Sequence, residues 1–152
     1  MKIKNLILKF FINTDLKKDV LFLKSIDSFD CLSVFQLKKI RAHIYKKTYL
    51  KKEIIYKKGQ DAKLLCIVKS GKVELDDTKN KRIIHKRDLF GQKYVFNANE
   101  VYADTATALE DSEIYLLYKD DIETLMEKDE SIGFRMFKKI LQILYKRYNH
   151  ER

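Results

Sequence analysis

The spacing of the apolar residues changes twice along this chain, and that change limits the fold more than any single motif does. Up to about residue 44 they recur every three or four positions, as they do on one face of a helix. From about 45 to 118 they alternate with polar residues or gather in short runs parted by polar turns, the pattern of strands. After that the helical spacing returns. Helices, then a block of short strands, then helices describe an α+β chain rather than a doubly wound sheet, in which the two patterns would alternate.

The elements can be placed within that frame. Leu16, Val20, Leu21 and Leu23 predict a helix over residues 15–26. Ser33 and Gln36 form a capping box, with Leu32 and Leu37 as its hydrophobic staple and Phe35, Leu37, Ile40 and Ile44 as the apolar face that follows. Strands are predicted near 45–50, 53–56, 64–69, 72–76, 82–85, 88–90, 104–109 and 113–118. Leu64, Cys66 and Val68 should share one face, Thr105, Thr107 and Leu109 another, and Ile114, Leu116 and Tyr118 a third. Ser70-Gly71 reads as a tight hairpin and 76–81 as a second turn. Asp120 with Glu123 can cap the next helix, and Ser131 a last one to about 149. Phe137, Ile140, Leu141, Leu144 and Tyr148 form a stripe on that helix, read as core and as the seam of a homodimer. Eight strands at this spacing make a β-roll or jelly roll flanked by helices. One domain over 1–152 is expected: N-terminal helices over 1–44, the roll over 45–118 and C-terminal helices over 119–150.

What the chain lacks narrows its chemistry. It has four glycines, at 59, 71, 91 and 133, and no proline, against about 11 and about 8 at average usage. Neither a G-x-G-x-x-G loop nor a P-loop can be written from them. Cys31 and Cys66 form no C-x-x-C pair and read as buried, reduced thiols. His43, His85 and His150 are scattered, and no nucleophile triad stands out. The chain is therefore not expected to be an enzyme or to carry a metal or cofactor.

Charge is uneven. The net +10 divides into +10 over residues 1–60, −5 over 61–132 and +5 over 133–152. Tyr45-Lys46-Lys47-Thr48-Tyr49-Leu50-Lys51-Lys52 interleaves aromatic rings with cations, which suits nucleic acid or another polyanion. Ile3, Leu6, Ile7 and Phe10 suit an amphipathic helix. Lys9 interrupts the opening apolar stretch, no cleavage site follows, and no run is long enough to span a bilayer. A cytoplasmic protein without membrane insertion is expected.

Five segments, in order, carry a resemblance. They are Ser28-Phe29-Asp30-Cys31-Leu32-Ser33, then Lys52-Glu53-Ile54-Ile55-Tyr56-Lys57-Lys58-Gly59, then Ile67-Val68-Lys69-Ser70-Gly71-Lys72-Val73. Asp88-Leu89-Phe90-Gly91-Gln92 and Ala108-Leu109-Glu110-Asp111-Ser112 follow. Together the string resembles the cyclic-nucleotide-binding domain family, the effector domain of catabolite activator-like regulators, over roughly residues 19–150. Lys52 stands where the family has a glycine.

The resemblance implies a ligand cassette from about Gly91 to Asp104. In the family a Glu after the Phe-Gly turn accepts the ribose hydroxyl, and an Arg about ten residues later pairs with the cyclic phosphate. Gln92 stands at the first position, Tyr102 at the second and Ala103 after it. Lys93 is the nearest replacement cation, with Lys46, Lys47, Lys51, Lys52, Lys57 and Lys58 as further candidates. Arg147 and Tyr148 stand where family members cover the base. A buried phosphate wants a charge-assisted partner, and one neutral hydroxyl is a poor substitute.

The expected function is thus a stand-alone regulatory module that senses a small ligand. A nucleotide is the candidate, and ordinary cyclic AMP or cyclic GMP binding is not expected. A ligand-free dimerising module and a basic polyanion-binding protein are the alternatives. Only two residues follow His150, so no helix-turn-helix for DNA is expected.

Overall fold

The computed structural model describes residues 14–92 and 100–150. The candidate N-terminal amphipathic helix (Ile3 to Phe10), Lys93, and the side chains of Leu144, Arg147 and Tyr148 lie outside the described residues. The chain forms two compact units. One is built from the described parts of residues 1–42 and 125–152, the other from 43–124.

In the first unit, helix α1 covers residues 14–24 and α2 covers Val34–Ala42. The capping box at α2 forms as its spacing predicts. The Ser33 amide donates to Gln36 Oε1 at 3.0 Å, and the Gln36 amide donates to Ser33 Oγ at 3.2 Å. Leu32 and Leu37 are fully buried. Phe35 departs from the expected apolar face and is exposed, with the Lys39 ammonium 4.8 Å from its ring centre. Two positions turn a helix by about 200°, so Phe35 lies opposite Leu37. Leu21 of α1 is exposed for the same reason, while Val20, Phe22 and Leu23 are buried. Asp19 is also buried there, and Arg41 Nε donates to its carboxylate.

Helix α3, Lys119–Lys128, ends in this unit, and α4, Glu130–His150, follows it. Asp120 falls inside the first turn of α3, where its charge still favours the positive end of the helix dipole. The expected cap of α4, Ser131, is likewise one turn position inside. Asp129 holds the cap: its backbone carbonyl accepts the Ile132 amide at 3.0 Å, and its carboxylate accepts the Lys39 ammonium at 2.7 Å and the Ser131 hydroxyl at 2.5 Å. Those donors hold the Asp129 pKa below the usual carboxylate value. The Ser131 hydroxyl accepts from Gln36 Nε2 at 2.8 Å, linking the starts of α2 and α4.

The second unit is the roll. Its strands are β1 Tyr45–Tyr49, β2 Ile54–Tyr56, β3 Leu64–Ser70, β4 Val73–Asp76, β5 Lys81–Ile84, β6 Leu89–Phe90, β7 Thr105–Ala108 and β8 Ser112–Tyr118. All eight follow the expected stretches closely. They pair antiparallel in two four-stranded sheets, ordered β1-β8-β3-β6 and β2-β7-β4-β5. Both sheets contribute to one apolar core that includes Cys66, Val68, Val73, Leu75, Ile84, Phe90, Ala106, Ala108, Ile114 and Leu116. Burial pushes the Cys66 thiol pKa well above its usual range.

One local expectation changes. Ser70-Gly71 is a tight turn but not a hairpin, because β3 and β4 belong to different sheets and the turn is the corner between them. Gly71 has φ +88°, and a Cβ there would lie 2.8 Å from the Ser112 Cα, so only glycine fits the corner. On β7, Ala106 and Ala108 face the core, and Thr105 and Thr107 share the opposite face as the alternation predicts.

Lys52, at the family's glycine position, has φ +74°. Its amide donates to the Ala108 carbonyl at 2.8 Å, which fixes the left-handed turn. A left-handed conformation costs an ordinary residue roughly 1–2 kcal/mol, and glycine avoids that at a smaller entropic cost. Lys52→Gly should therefore raise stability by about 0.5–1 kcal/mol, read as a higher urea midpoint at unchanged slope. A midpoint that falls would contradict a strained turn.

Candidate functional site: the cassette and its aromatic lock

Gly91 follows β6 with φ +81°, and a Cβ there would lie 2.5 Å from the Leu64 carbonyl oxygen. The cassette mouth is therefore closed to any side chain. Gln92 is exposed, and Ala103 is exposed on the far arm of the cassette. Between them Tyr102 is 2 % exposed.

Backbone pairing fixes Tyr102. Its amide donates to the Gln60 carbonyl at 2.9 Å, and its carbonyl accepts the Gly59 amide at 2.8 Å. Alongside, the Ala62 amide donates to Glu100 O at 3.0 Å and the Lys58 amide to Thr105 Oγ1 at 3.1 Å. Residues 58–62 and 100–105 thus run as a short paired ribbon, and alternation along it sends the Tyr102 ring into the roll.

There the ring lies flat on Tyr56, with centroids 3.7 Å apart and planes 8° from parallel. Tyr56 also meets Phe90 at 6.0 Å. The Tyr102 hydroxyl accepts the amides of Leu64 at 2.9 Å and Lys63 at 3.2 Å, and has the Leu64 carbonyl at 3.3 Å for its own proton. A hydroxyl carries one donor and two acceptor sites, and all three are used. The expected contact from Tyr102 to a phosphate is therefore not available from this arrangement: the group is spent on the β3 backbone.

The Tyr56 hydroxyl donates to Asp104 Oδ1 at 3.0 Å, and Asp104 is itself buried. Burial, then the Asp104 charge and hydrogen bond, raises the Tyr56 pKa far above the ordinary tyrosine range. Burial raises that of Tyr102 to about 12, against the opposing pull of its two amide donors. Where the resemblance calls for an arginine and a phosphate, the roll holds two neutral phenols and a carboxylate.

The other candidates are placed as follows. Lys46 and Lys47 are exposed on β1, their ammonium groups 5.6 Å from the Tyr115 ring centre and 4.6 Å from that of Tyr49. Lys51, Lys52 and Lys57 are exposed in turns, and the Lys58 ammonium reaches the Asp77 carbonyl at 3.4 Å. None of these lysines is within the aromatic cluster. Tyr56 was not legible as a site residue, because it occupies an unspecified position of its motif. Its one signal is an aromatic residue inside a three-residue strand beside the isoleucines.

Residues 46–129 match the family model described as the cyclic nucleotide-binding domain. The chain belongs to that family. Solved structures with the same fold include the N-terminal domain of a transcriptional regulator from Streptomyces coelicolor. It aligns with this cyclic nucleotide-binding domain at a TM-score of 0.73 and 18% identity, covering 86% of this chain and 95% of that one. The sensor domain of the transcriptional regulator DNR from Pseudomonas aeruginosa aligns at 0.69 and 19%, covering 84% and 94%. The Thermus thermophilus catabolite activator protein aligns at 0.66 and 20%, covering 82% of this chain and 59% of that one. No curated protein matches this sequence. At these identities the structures establish the fold and leave ligands to be argued from the residues.

Tyr102→Phe keeps the stack and removes the hydroxyl. With the Lys63 and Leu64 amides left unsatisfied, it should cost about 1–3 kcal/mol in denaturant unfolding; an unchanged midpoint would contradict the clamp. Alkaline titration gives a second test. The folded pKa of Tyr102 lies above its unfolded value of 10.0, so its contribution is intact below pH 10.0 and is lost as pH rises through about 12. Tyr49, also raised to about 12 by burial first, behaves alike. Phenolate absorbance should therefore show a late, unfolding-linked component that an all-normal tyrosine titration would lack.

Proposed function

We propose that this domain is a non-catalytic regulatory module whose cassette no longer holds a cyclic phosphate through an arginine. The observation that carries the reading is the lock: Tyr102 at the arginine position is buried against Tyr56 with its hydroxyl saturated by the backbone. Asp104, buried two residues on, sets a carboxylate beside the place where a phosphate charge would sit. Losing a buried charge partner costs of order 2–5 kcal/mol, or ~30- to ~5000-fold in affinity. Gln92, exposed at the cassette mouth, keeps the capacity to accept or donate a hydrogen bond to a ligand hydroxyl. In this reading Gly91, Gln92 and Ala103 line the entrance. The ligand is a small molecule, with a nucleotide as the candidate.

The same reading makes the module a homodimer through α4. Phe134, Phe137, Leu141 and Tyr145 recur along one side of that helix and are 69%, 63%, 50% and 68% exposed. Ile132 and Met136, on its other side, are buried. Four large apolar side chains in one row favour a helix partner. Of the stripe read from the sequence as core and seam, Phe137 and Leu141 are exposed and Ile140 is half-buried. The reading holds no place for catalysis. No helix among the described residues is long and apolar enough to cross a membrane.

Calorimetry of the wild-type chain should show no saturable heat with cyclic AMP or cyclic GMP below about 1 mM. Micromolar binding of either, lost in Tyr102→Phe, would overturn the lock. Phe137→Asp with Leu141→Asp should convert the dimer to a monomer in sedimentation velocity. An unchanged sedimentation coefficient would place the seam elsewhere.

A further inference from the structure

Two cavities adjoin at the end of the roll where β3 begins and β8 ends. The larger, about 510 Å³, is walled by Ile55, Leu64 and Tyr118 and reaches Tyr56 and Tyr102. The smaller, about 390 Å³, is lined by Ala62, Glu100, Lys119 and Asp120. Asp61, Lys63 and Tyr118 border both. Each volume falls in the range of small-molecule sites, roughly 300–1,000 Å³. Gly91, Gln92 and Ala103 line neither, so the pair stands apart from the cassette entrance.

The larger cavity suits a ring. Register sets Leu64 opposite Tyr118 at the end of the β3–β8 ladder, and opposed residues share a face of the sheet. Ile55 and Leu64 pack on the core but are only partly buried, which leaves apolar surface to the cavity. Tyr118 is 43% exposed, and Tyr45 braces it at a right angle, with 5.3 Å between centroids and 86° between planes. Edge-to-face pairing is a favoured arrangement of two rings, so the Tyr118 wall is held in place.

The smaller cavity carries both signs of charge. Asp61, Glu100 and Asp120 are set against Lys63 and Lys119. The ion pairs here are long: Lys63 to Asp61 at 3.8 Å, and Lys119 to Glu123 at 3.9 Å. Asp61 and Lys63 are both exposed, and an exposed pair at that distance is held weakly enough to exchange for a ligand's charges. A ligand with a single charge would meet its like as well as its opposite. A zwitterion has a partner for each end.

The walls need no rearrangement. The Lys119 amide donates to the Lys63 carbonyl at 2.9 Å, and the Ala62 amide to the Glu100 carbonyl at 3.0 Å. The Tyr102 hydroxyl holds the Lys63 and Leu64 amides from the inside. A site fixed in this way spends little of its binding free energy on ordering itself.

We infer that the two cavities form a site for a free aromatic α-amino acid. Its ring enters the larger cavity against Leu64 and Tyr118, its ammonium turns toward Glu100 and Asp120, and its carboxylate toward Lys63. The site is separate from the cassette and does not depend on the regulatory reading above.

The test is an amide chemical-shift titration of the full chain with L-phenylalanine, phenethylamine, 3-phenylpropanoate and glycine, each to about 10 mM. Phenylalanine should give saturable shifts at Ala62, Leu64 and Tyr118. The two singly charged probes should bind about tenfold more weakly, and glycine should give no saturable shift. Tyr118→Ala should weaken phenylalanine about tenfold. Lys63→Gln should bring phenylalanine down to the level of phenethylamine while leaving phenethylamine no weaker. Lys63 is exposed, so that variant keeps the test open if Tyr118→Ala fails to fold. No saturable shift with phenylalanine overturns the inference, and so does an equal response to either singly charged probe. Phenylalanine shifts confined to Gly91 and Gln92 also overturn it, and would place the ligand in the cassette that the regulatory reading describes.

Discussion

The stack of Tyr102 on Tyr56, pinned by the Tyr102 hydroxyl to the backbone of β3, is the interaction on which the rest of the ligand site depends. It ties three pieces of the roll together: the cassette arm at 100–105, the short strand β2, and the start of β3. A neutral phenol can do this where an arginine could not. The guanidinium would need an anion, and the buried carboxyl group of Asp104 is already engaged by Tyr56. Burying two rings and satisfying one hydroxyl three times stabilises the apo roll by the same substitution that removes the phosphate's partner.

The consequence is a site turned inside out. In an open cassette the charged side chain waits for its ligand and is solvated until the ligand arrives. Here position 102 is already satisfied, and so is position 56. The cation on the outer face of β5, Lys81, is likewise satisfied by Glu74 and Asp76. Function in this fold follows from which polar groups the core has consumed, and not from the fold itself.

Much of the architecture was legible because it rests on short-range rules. Period-two alternation in several stretches and short runs between polar turns in the others located the eight strands, and Ser33 with Gln36 marked the start of α2 through a reciprocal hydrogen-bond pair that depends only on spacing. What was not legible depends on register between distant strands. Whether the threonines or the alanines of β7 face inward is settled by what β4 and β2 present across from them. Ser70-Gly71 could not be told from a hairpin, since a sheet corner and a hairpin ask for the same positive-φ glycine. At the site, the sequence showed that Tyr102 had replaced an arginine. It did not show that Tyr56, 46 positions earlier, was placed to receive its ring. Lys52 is the reverse case: its motif position implied a glycine turn, and the chain keeps the turn with a residue that strains it.

A crystal structure of the chain grown with saturating cyclic AMP tests the central claim most directly. The account predicts the Tyr102 ring still flat on Tyr56 with its hydroxyl within 3.3 Å of the Leu64 carbonyl, and no phosphate oxygen bonded to it. A Tyr102 side chain turned out of the roll, with its hydroxyl on the cyclic phosphate, would contradict it.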